Sequence, residues 1–390
     1  MNIKSFILPA LLVALVSAFT PVALRAQDFT DIDTLVFHDA LKFRLINKGF
    51  DNSLTPFTRI PAYLKDSVRT ELWERAKCTS GMGIRFATNS RAVAVRYNLL
   101  TNMHMAHMAD TGIKGTDLYI LDEDGRWTFL NCNRPRKDSI QQKVYVDKLD
   151  GKMHEFMIYL PLYDGVNWMQ IGVESTATIT LPQIDNPRHD RRFVFYGTSV
   201  LQGGCATRTG VVATSILQRD LDAECINIGI SGEGKMDFCM ARAMATIPNV
   251  DAFIIDPIPN CTKMMCDTLT YDFINILRQA RPDVPIFMVE GQAYSYENYN
   301  SFYNTYLKEK NFEFHKNYLK LRQDNPRNLY YIDRDNQWGP DNEGTVDGIH
   351  LTDIGFYFYA QKLKPYLQAI LDGKPVPFQD KVNRPYPPVQ

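Results

Sequence analysis

The chain has 390 residues, 45% of them hydrophobic, which is enough to bury a sizeable core and, by length, two. Its 43 basic and 44 acidic residues are interspersed and leave a net charge of −1, which excludes an electrostatic footprint for nucleic acid or an anionic membrane surface. Seven cysteines are too few for a disulfide scaffold of this length, and their odd number leaves at least one thiol unpaired within a monomer.

Residues 1–26 read as a signal peptide. Lys4 gives a basic start, Phe6 to Ala18 is apolar, and Val16-Ser17-Ala18 and Leu24-Arg25-Ala26 are both small-residue cleavage patterns. The apolar run is too short to span a bilayer, and no cysteine follows it for lipid attachment. The expectation is export to the periplasm or beyond, with no stable membrane anchor.

From residue 27 to 187 the rhythm is that of strands. Arg91 to Tyr97 alternates polar and apolar residues, and Asp117–Leu121 and Arg126–Leu130 flank an Asp122-Glu123-Asp124-Gly125 turn as a hairpin. Further strands are predicted at Glu155–Leu160, Trp168–Val173 and Ala177–Leu181. Short strands with regular turns predict a β-sandwich, jelly-roll-like domain.

From residue 188 to 375 strands and helices alternate. Apolar runs fall at Phe193–Tyr196, Cys225–Ile228, Ala252–Ile255, Pro285–Val289 and Asn328–Ile332. Helix-compatible stretches separate them at Gly210–Leu221, Met236–Ala245, Thr268–Ala280 and Asn300–Leu321. Near-continuous apolar strands between helices predict an α/β domain whose parallel sheet is covered on both faces. Asp185-Asn186-Pro187 is the junction, and residues 376–390 form an irregular proline-rich tail. Cys261 and Cys266 are close enough in sequence to bridge, whereas Cys205, Cys225 and Cys239 read as buried small residues.

Four segments of this second half end strands or precede the last helix, where ligands of such sheets bind. The first strand runs into Gly197-Thr198-Ser199, a glycine-bounded serine that is either a nucleophile or a turn-capping residue. The second ends in Ser231-Gly232-Glu233-Gly234, whose backbone N–H groups can meet an oxyanion or simply turn the chain. It is not a Gly-x-Gly-x-x-Gly dinucleotide motif. The third ends in Pro257-Ile258-Pro259-Asn260, a stiff loop presenting an amide that either donates to the same oxyanion or stabilises its own turn. Asp347-Gly348-Ile349-His350 supplies a carboxylate that could orient an imidazole acting as base for Ser199. Neither Ser199 nor Ser231 lies in a Gly-x-Ser-x-Gly elbow, so an α/β-hydrolase is disfavoured.

On these residues the second half resembles the SGNH, or GDSL-type, hydrolase family, whose four blocks contribute a serine, a glycine, an asparagine and a histidine with its aspartate. The resemblance implies Ser199 as nucleophile, His350 as base oriented by Asp347, and an oxyanion hole from Ser199, Gly232 and Asn260. It also implies a flavodoxin-like three-layer fold and no cofactor. Thr198 stands where the family typically has Asp, and Pro259-Asn260 replaces the common Gly-x-Asn-Asp. Gly115-Thr116-Asp117-Leu118-Tyr119 in the first half resembles the Gly-x-Asp-Leu-Tyr motif of an exported bacterial branch of that family.

Four further residues are candidate substrate contacts. Met103-His104-Met105-Ala106-His107-Met108 offers imidazole and thioether groups suited to copper, but only Asp110 adds a ligand nearby, so no metal is expected. The loop is instead expected to lean over the cleft with His107 or Met108 lining it. Arg208 would hold a substrate carboxylate or carbonyl or, more readily, pair with a neighbouring acid, and Glu290 would bind sugar hydroxyls or pair with a loop. The function expected is an exported serine carboxylester hydrolase removing acetyl or similar groups from carbohydrate. The alternatives are a lipase- or lysophospholipase-like esterase, an acyltransferase, or a non-catalytic sugar-binding protein on a hydrolase scaffold.

Overall fold

The computed structural model describes residues 30–377; the leader expected over 1–26 and residues 378–390 of the expected tail lie outside them. The first half holds ten strands: β1 (Val36–Asp39), β2 (Arg44–Ile46), β3 (Gly83–Thr88), β4 (Val93–Leu99), β5 (Asp117–Leu121), β6 (Trp127–Cys132), β7 (Ile140–Val146), β8 (His154–Tyr159), β9 (Val166–Val173) and β10 (Ile179–Thr180). Two short helices, α1 (Thr70–Ala76) and α2 (Asp110–Ile113), interrupt them. One antiparallel sheet runs β1-β9-β4-β7 and the other β10-β3-β8-β5-β6, with β2 also on β3.

The two sheets close on one apolar layer. Val93, Val95 and Tyr97 of β4 and Met169, Ile171 and Val173 of β9 meet Ile84 and Phe86 of β3 and Phe156 and Ile158 of β8. The hairpin expected at 117–130 is present as β5 and β6. β3 escaped the period-two reading because all six of its residues are buried. Its outer face is covered too: Arg85, between Ile84 and Phe86, is buried and paired with Glu155 at 3.0 Å.

The second half holds β11 (Arg188–Gly197), β12 (Ala223–Gly229), β13 (Val250–Asp256), β14 (Ile286–Val289) and β15 (Leu329–Ile332). Its helices are α3 (Ser199–Gln202), α4 (Ala213–Leu221), α5 (Phe238–Met244), α6 (Lys263–Thr268), α7 (Thr270–Ala280), α8 (Ser301–Asp324) and α9 (Asp353–Leu371). The strands pair in parallel in the order β12-β11-β13-β14-β15. Alternate residues serve opposite faces: Val194, Tyr196, Phe253 and Ile255 meet α5, α7 and α8, while Phe193, Phe195, Ala252 and Ile254 meet α4 and α9. This is the three-layer, flavodoxin-like arrangement, and its strand order reverses at β11.

The halves are packed together. The 50–76 segment, though early in the chain, adds Phe50, Ile60, Leu72 and Trp73 to the core around α5 and α7. Arg59 is buried there and donates to the carbonyls of Asn227 (3.1 Å) and Gly229 (2.8 Å), holding the end of β12. Against α4, the Tyr159 hydroxyl donates to Gln218 at 2.5 Å. Among the described residues no helix is long and apolar enough to cross a membrane.

Candidate active site

β11 ends at Gly197, at the switch point of the sheet, and the chain turns directly into the four-residue α3, whose first residue is Ser199. Gly203 stops that helix in the left-handed region at φ 106°. The first half braces the turn: Tyr163 donates to the Ser199 carbonyl (3.2 Å), and Ser80 to that of Gln202 (2.6 Å). Gln202 in turn accepts from Ser231 N–H (2.8 Å) and donates to the Leu162 carbonyl (3.1 Å).

Ser199 Oγ lies 2.9 Å from His350 Nε2, and His350 Nδ1 lies 2.7 Å from Asp347 Oδ2. Asp347 Oδ1 accepts the backbone N–H groups of Ile349 (3.0 Å) and His350 (2.8 Å), a turn that Gly348 permits with φ 88°. Partial burial acts to raise the Asp347 pKa, but hydrogen bonds from the His350 ring and backbone outweigh it and hold the carboxyl below its usual range. An ionised carboxylate only accepts, so Nδ1 carries the ring proton and Nε2 is the acceptor for the Ser199 hydroxyl.

Gly232 and Asn260 reach the same corner. Ile230 N–H donates to the Gly197 carbonyl (3.0 Å), and Gly234 packs so closely that an added Cβ would lie 2.1 Å from that carbonyl oxygen. Gly232 adopts φ 77°, and a Cβ there would meet nothing within 4 Å. Asn260 ends a short turn after Pro257, and its Oδ1 accepts Gly234 N–H at 3.3 Å, which leaves its Nδ2 end facing away from that bond.

The methionine–histidine loop passes close to this corner. Asp164, fully buried, accepts the N–H groups of Thr101 and Met103 at 2.9 Å each and so fixes the loop's start. The His107 ring, exposed, lies 5.8 Å from that of His350, and Met108 is buried in the apolar cluster that contains Val200 and Cys205. His104 instead meets Asp110 at 2.8 Å.

Arg208 and Glu290 are engaged elsewhere. Arg208 donates to Asp117 (2.8 Å) and to the Tyr119 hydroxyl (2.7 Å), and Asp117 also accepts Gly210 N–H (2.8 Å). The Gly-x-Asp-Leu-Tyr motif thereby latches the first half to the loop that follows α3. Glu290 is buried after β14 and accepts Arg334 N–H at 2.8 Å. Cys261 and Cys266, close enough in sequence to bridge, are free thiols here, as are the other five cysteines.

Sequence reasoning missed an aromatic shelf. Tyr294, Tyr296 and Tyr303 are mutually in ring contact, Phe302 stacks on Tyr306, and Ser295 N–H donates to the Gly348 carbonyl beside them. The dense Tyr and Phe residues of 294–306 carried that signal, hidden in a stretch that otherwise reads as the start of a helix. The bracing groups Arg59, Ser80, Tyr163 and Asp164 carry no local signal, because each acts on a segment distant in sequence.

Residues 190–368 match the model of the GDSL-like lipase/acylhydrolase family, and residues 35–179 match that of the N-terminus of esterases of the SGNH-hydrolase type. A Bacteroides ovatus protein described as a GDSL-like lipase is 33% identical, with a TM-score of 0.81, over 87% of this chain and 98% of its own. A salicylyl-acyltransferase from a tetracycline biosynthetic pathway is 18% identical with a TM-score of 0.66, covering 88% of this chain and 96% of its own, a likeness of fold. A search of curated proteins finds no match. With this fold and these relationships, the protein is a carboxylic ester hydrolase. It belongs to the GDSL-like lipase/acylhydrolase family, in the branch that carries a Gly-x-Asp-Leu-Tyr N-terminal domain.

Proposed function

We propose that this hydrolase is an exported serine esterase that removes acetyl or similarly small acyl groups from carbohydrate. The observation that carries the mechanism is the unbroken series Ser199 Oγ, His350 Nε2, His350 Nδ1, Asp347 Oδ2, with links of 2.9 and 2.7 Å. His350 takes the hydroxyl proton as Ser199 Oγ bonds to the ester carbonyl carbon, and Asp347 stabilises the imidazolium. The oxyanion is met by the N–H of Ser199, which as the first helical residue has no acceptor within α3, and by Gly232 N–H and Asn260 Nδ2. Collapse breaks the carbon–oxygen bond to the sugar, whose oxygen leaves with the proton from His350. Water, deprotonated by the same histidine, then releases the acid and restores Ser199.

The substrate class rests on the shelf and the leader. Tyr296 packs against Gly348 of the Asp347–His350 turn, within the aromatic group that continues to Tyr303 and the exposed Phe302, and such faces suit the apolar faces of sugar rings. The leader at 1–26 argues for export. Hydrolysis of p-nitrophenyl acetate against longer-chain p-nitrophenyl esters, by the parent and by Ser199→Ala, tests the nucleophile and the size of the acyl group. The reading expects activity on acetate, little on long chains, and a loss of at least about 10⁴-fold in kcat for the variant. A preference for long chains points instead to a lipase, and equal rates for parent and variant rule out the serine mechanism.

A further inference from the structure

Cys205 has no part in the mechanism above, yet its Sγ and one ring nitrogen each of His107 and His350 lie within 4.8 Å of one another. We propose that these three residues form a zinc site that switches the esterase off. The inhibitory consequence rests on the serine-esterase reading; the binding does not.

The chemistry of the set fits Zn²⁺. Two imidazoles and a thiolate are its preferred ligand types, and three protein ligands with an open fourth position form a common zinc arrangement. Tetrahedral bonds of about 2.0–2.3 Å place ligand atoms roughly 3.4–3.6 Å apart, so the set must contract by about 1 Å. His107 can supply that movement, because it is exposed on a loop. His350 is already prepared as a ligand. Asp347 holds Nδ1, as a carboxylate commonly does behind a metal-bound histidine, and this leaves the Nε2 lone pair for the metal.

That lone pair is the one that accepts the Ser199 proton. Zinc bonded to Nε2 breaks the 2.9 Å link to Ser199 Oγ and removes the general base. On binding, the Cys205 S–H bond breaks, its proton passes to solvent, and the sulfur bonds to the metal. The two neutral imidazoles give only their lone pairs. No electron transfer is involved.

Cobalt(II) and zinc titrations of the full chain test this. Cobalt should bind one ion per chain and give a near-ultraviolet thiolate-to-metal charge-transfer band, which zinc displaces. Zinc should inhibit p-nitrophenyl acetate hydrolysis in parallel, and chelation should restore it. Cys205→Ser should keep parental activity without zinc, lose the band, and need at least 10-fold more zinc for half inhibition. Cys205 is buried, so His107→Ala, at an exposed position, provides a second variant and should weaken cobalt binding by a similar factor. No band in the parent, or zinc binding unchanged in both variants, would overturn the proposal. A parent without esterase activity but with the band would refute the serine-esterase reading and leave the site standing.

Discussion

Replacing Asp117 with Ala tests whether the Gly-x-Asp-Leu-Tyr motif is a latch between the two halves. Asp117 is fully buried, and its Oδ2 accepts both Arg208 Nη1 and Gly210 N–H at 2.8 Å. The variant leaves Gly210 N–H without its acceptor, a loss of about 1–3 kcal/mol for a buried donor. It also leaves the Arg208 guanidinium without its carboxylate. Breaking a buried ion pair on one side typically costs about 3–5 kcal/mol in all. Arg208 is 26% exposed and keeps its bond to Tyr119, so the low end applies, about 3 kcal/mol. At roughly 2–4 °C per kcal/mol, thermal unfolding should fall by about 6–12 °C. Asp117→Asn keeps an acceptor for Gly210 and should lose about half as much. Asp117→Ala combined with Arg208→Leu should recover part of the loss, because the unpaired charge is gone. Activity well below the unfolding range should change less than tenfold, since Asp117 bonds neither Ser199 nor His350. An Asp117→Ala protein within about 1 kcal/mol of the parent, or strict additivity in the double variant, would refute the latch.

Four further outcomes follow from the same geometry. Asp347→Asn should lower kcat by roughly 10³–10⁴-fold with little change in KM, read from steady-state kinetics, because the amide presents the wrong partner to His350 Nδ1. Asp256 is buried below the site, and burial pushes its carboxyl up to about 7 against the hydrogen bond it accepts from Tyr359. The folded protein therefore keeps a proton that the unfolded chain releases near pH 4, so stability falls as pH rises from about 4 to 7 and is level above that. Asp256→Asn should match the parent at pH 4 and exceed it by a few kcal/mol at pH 8 in urea unfolding. Gly234→Ala should destabilise by about 2–3 kcal/mol and lower activity, because its Cβ would strike the Gly197 carbonyl. Gly232→Ala, with open space around it, should cost only about 1 kcal/mol, for its positive φ.

The parallel sheet was legible because each strand is a short apolar run between helix-length stretches; β11 to β15 lie on the runs read from sequence. The four segments of the proposed site stand out in the sequence for a related reason. Parallel strands in a doubly wound sheet deliver their following loops to one edge, so position after a strand stands in for position in space. β7 and β3 were not legible: Ile140-Gln141-Gln142-Lys143 reads as polar chain, and β3 has no exposed face to alternate with. Arg208 illustrates the limit of local reading. The sequence allows it a substrate contact or a pairing with an acid; the structure shows the pairing, but with Asp117, 91 residues away, a partner that local reading does not name. Cys205 read as a small buried residue, and its place beside His107 and His350 depends on a loop from the other half of the chain.

Ser199 is the proposed nucleophile, activated by His350. Treating the full chain with a fluorophosphonate ester, which phosphonylates an activated serine, and mapping the adduct by peptide mass spectrometry tests it most directly. One adduct should form, on Ser199, in step with loss of p-nitrophenyl acetate hydrolysis and strongly slowed in His350→Ala. An active protein that takes no adduct, or one labelled at Ser231 while Ser199 stays free, would contradict it.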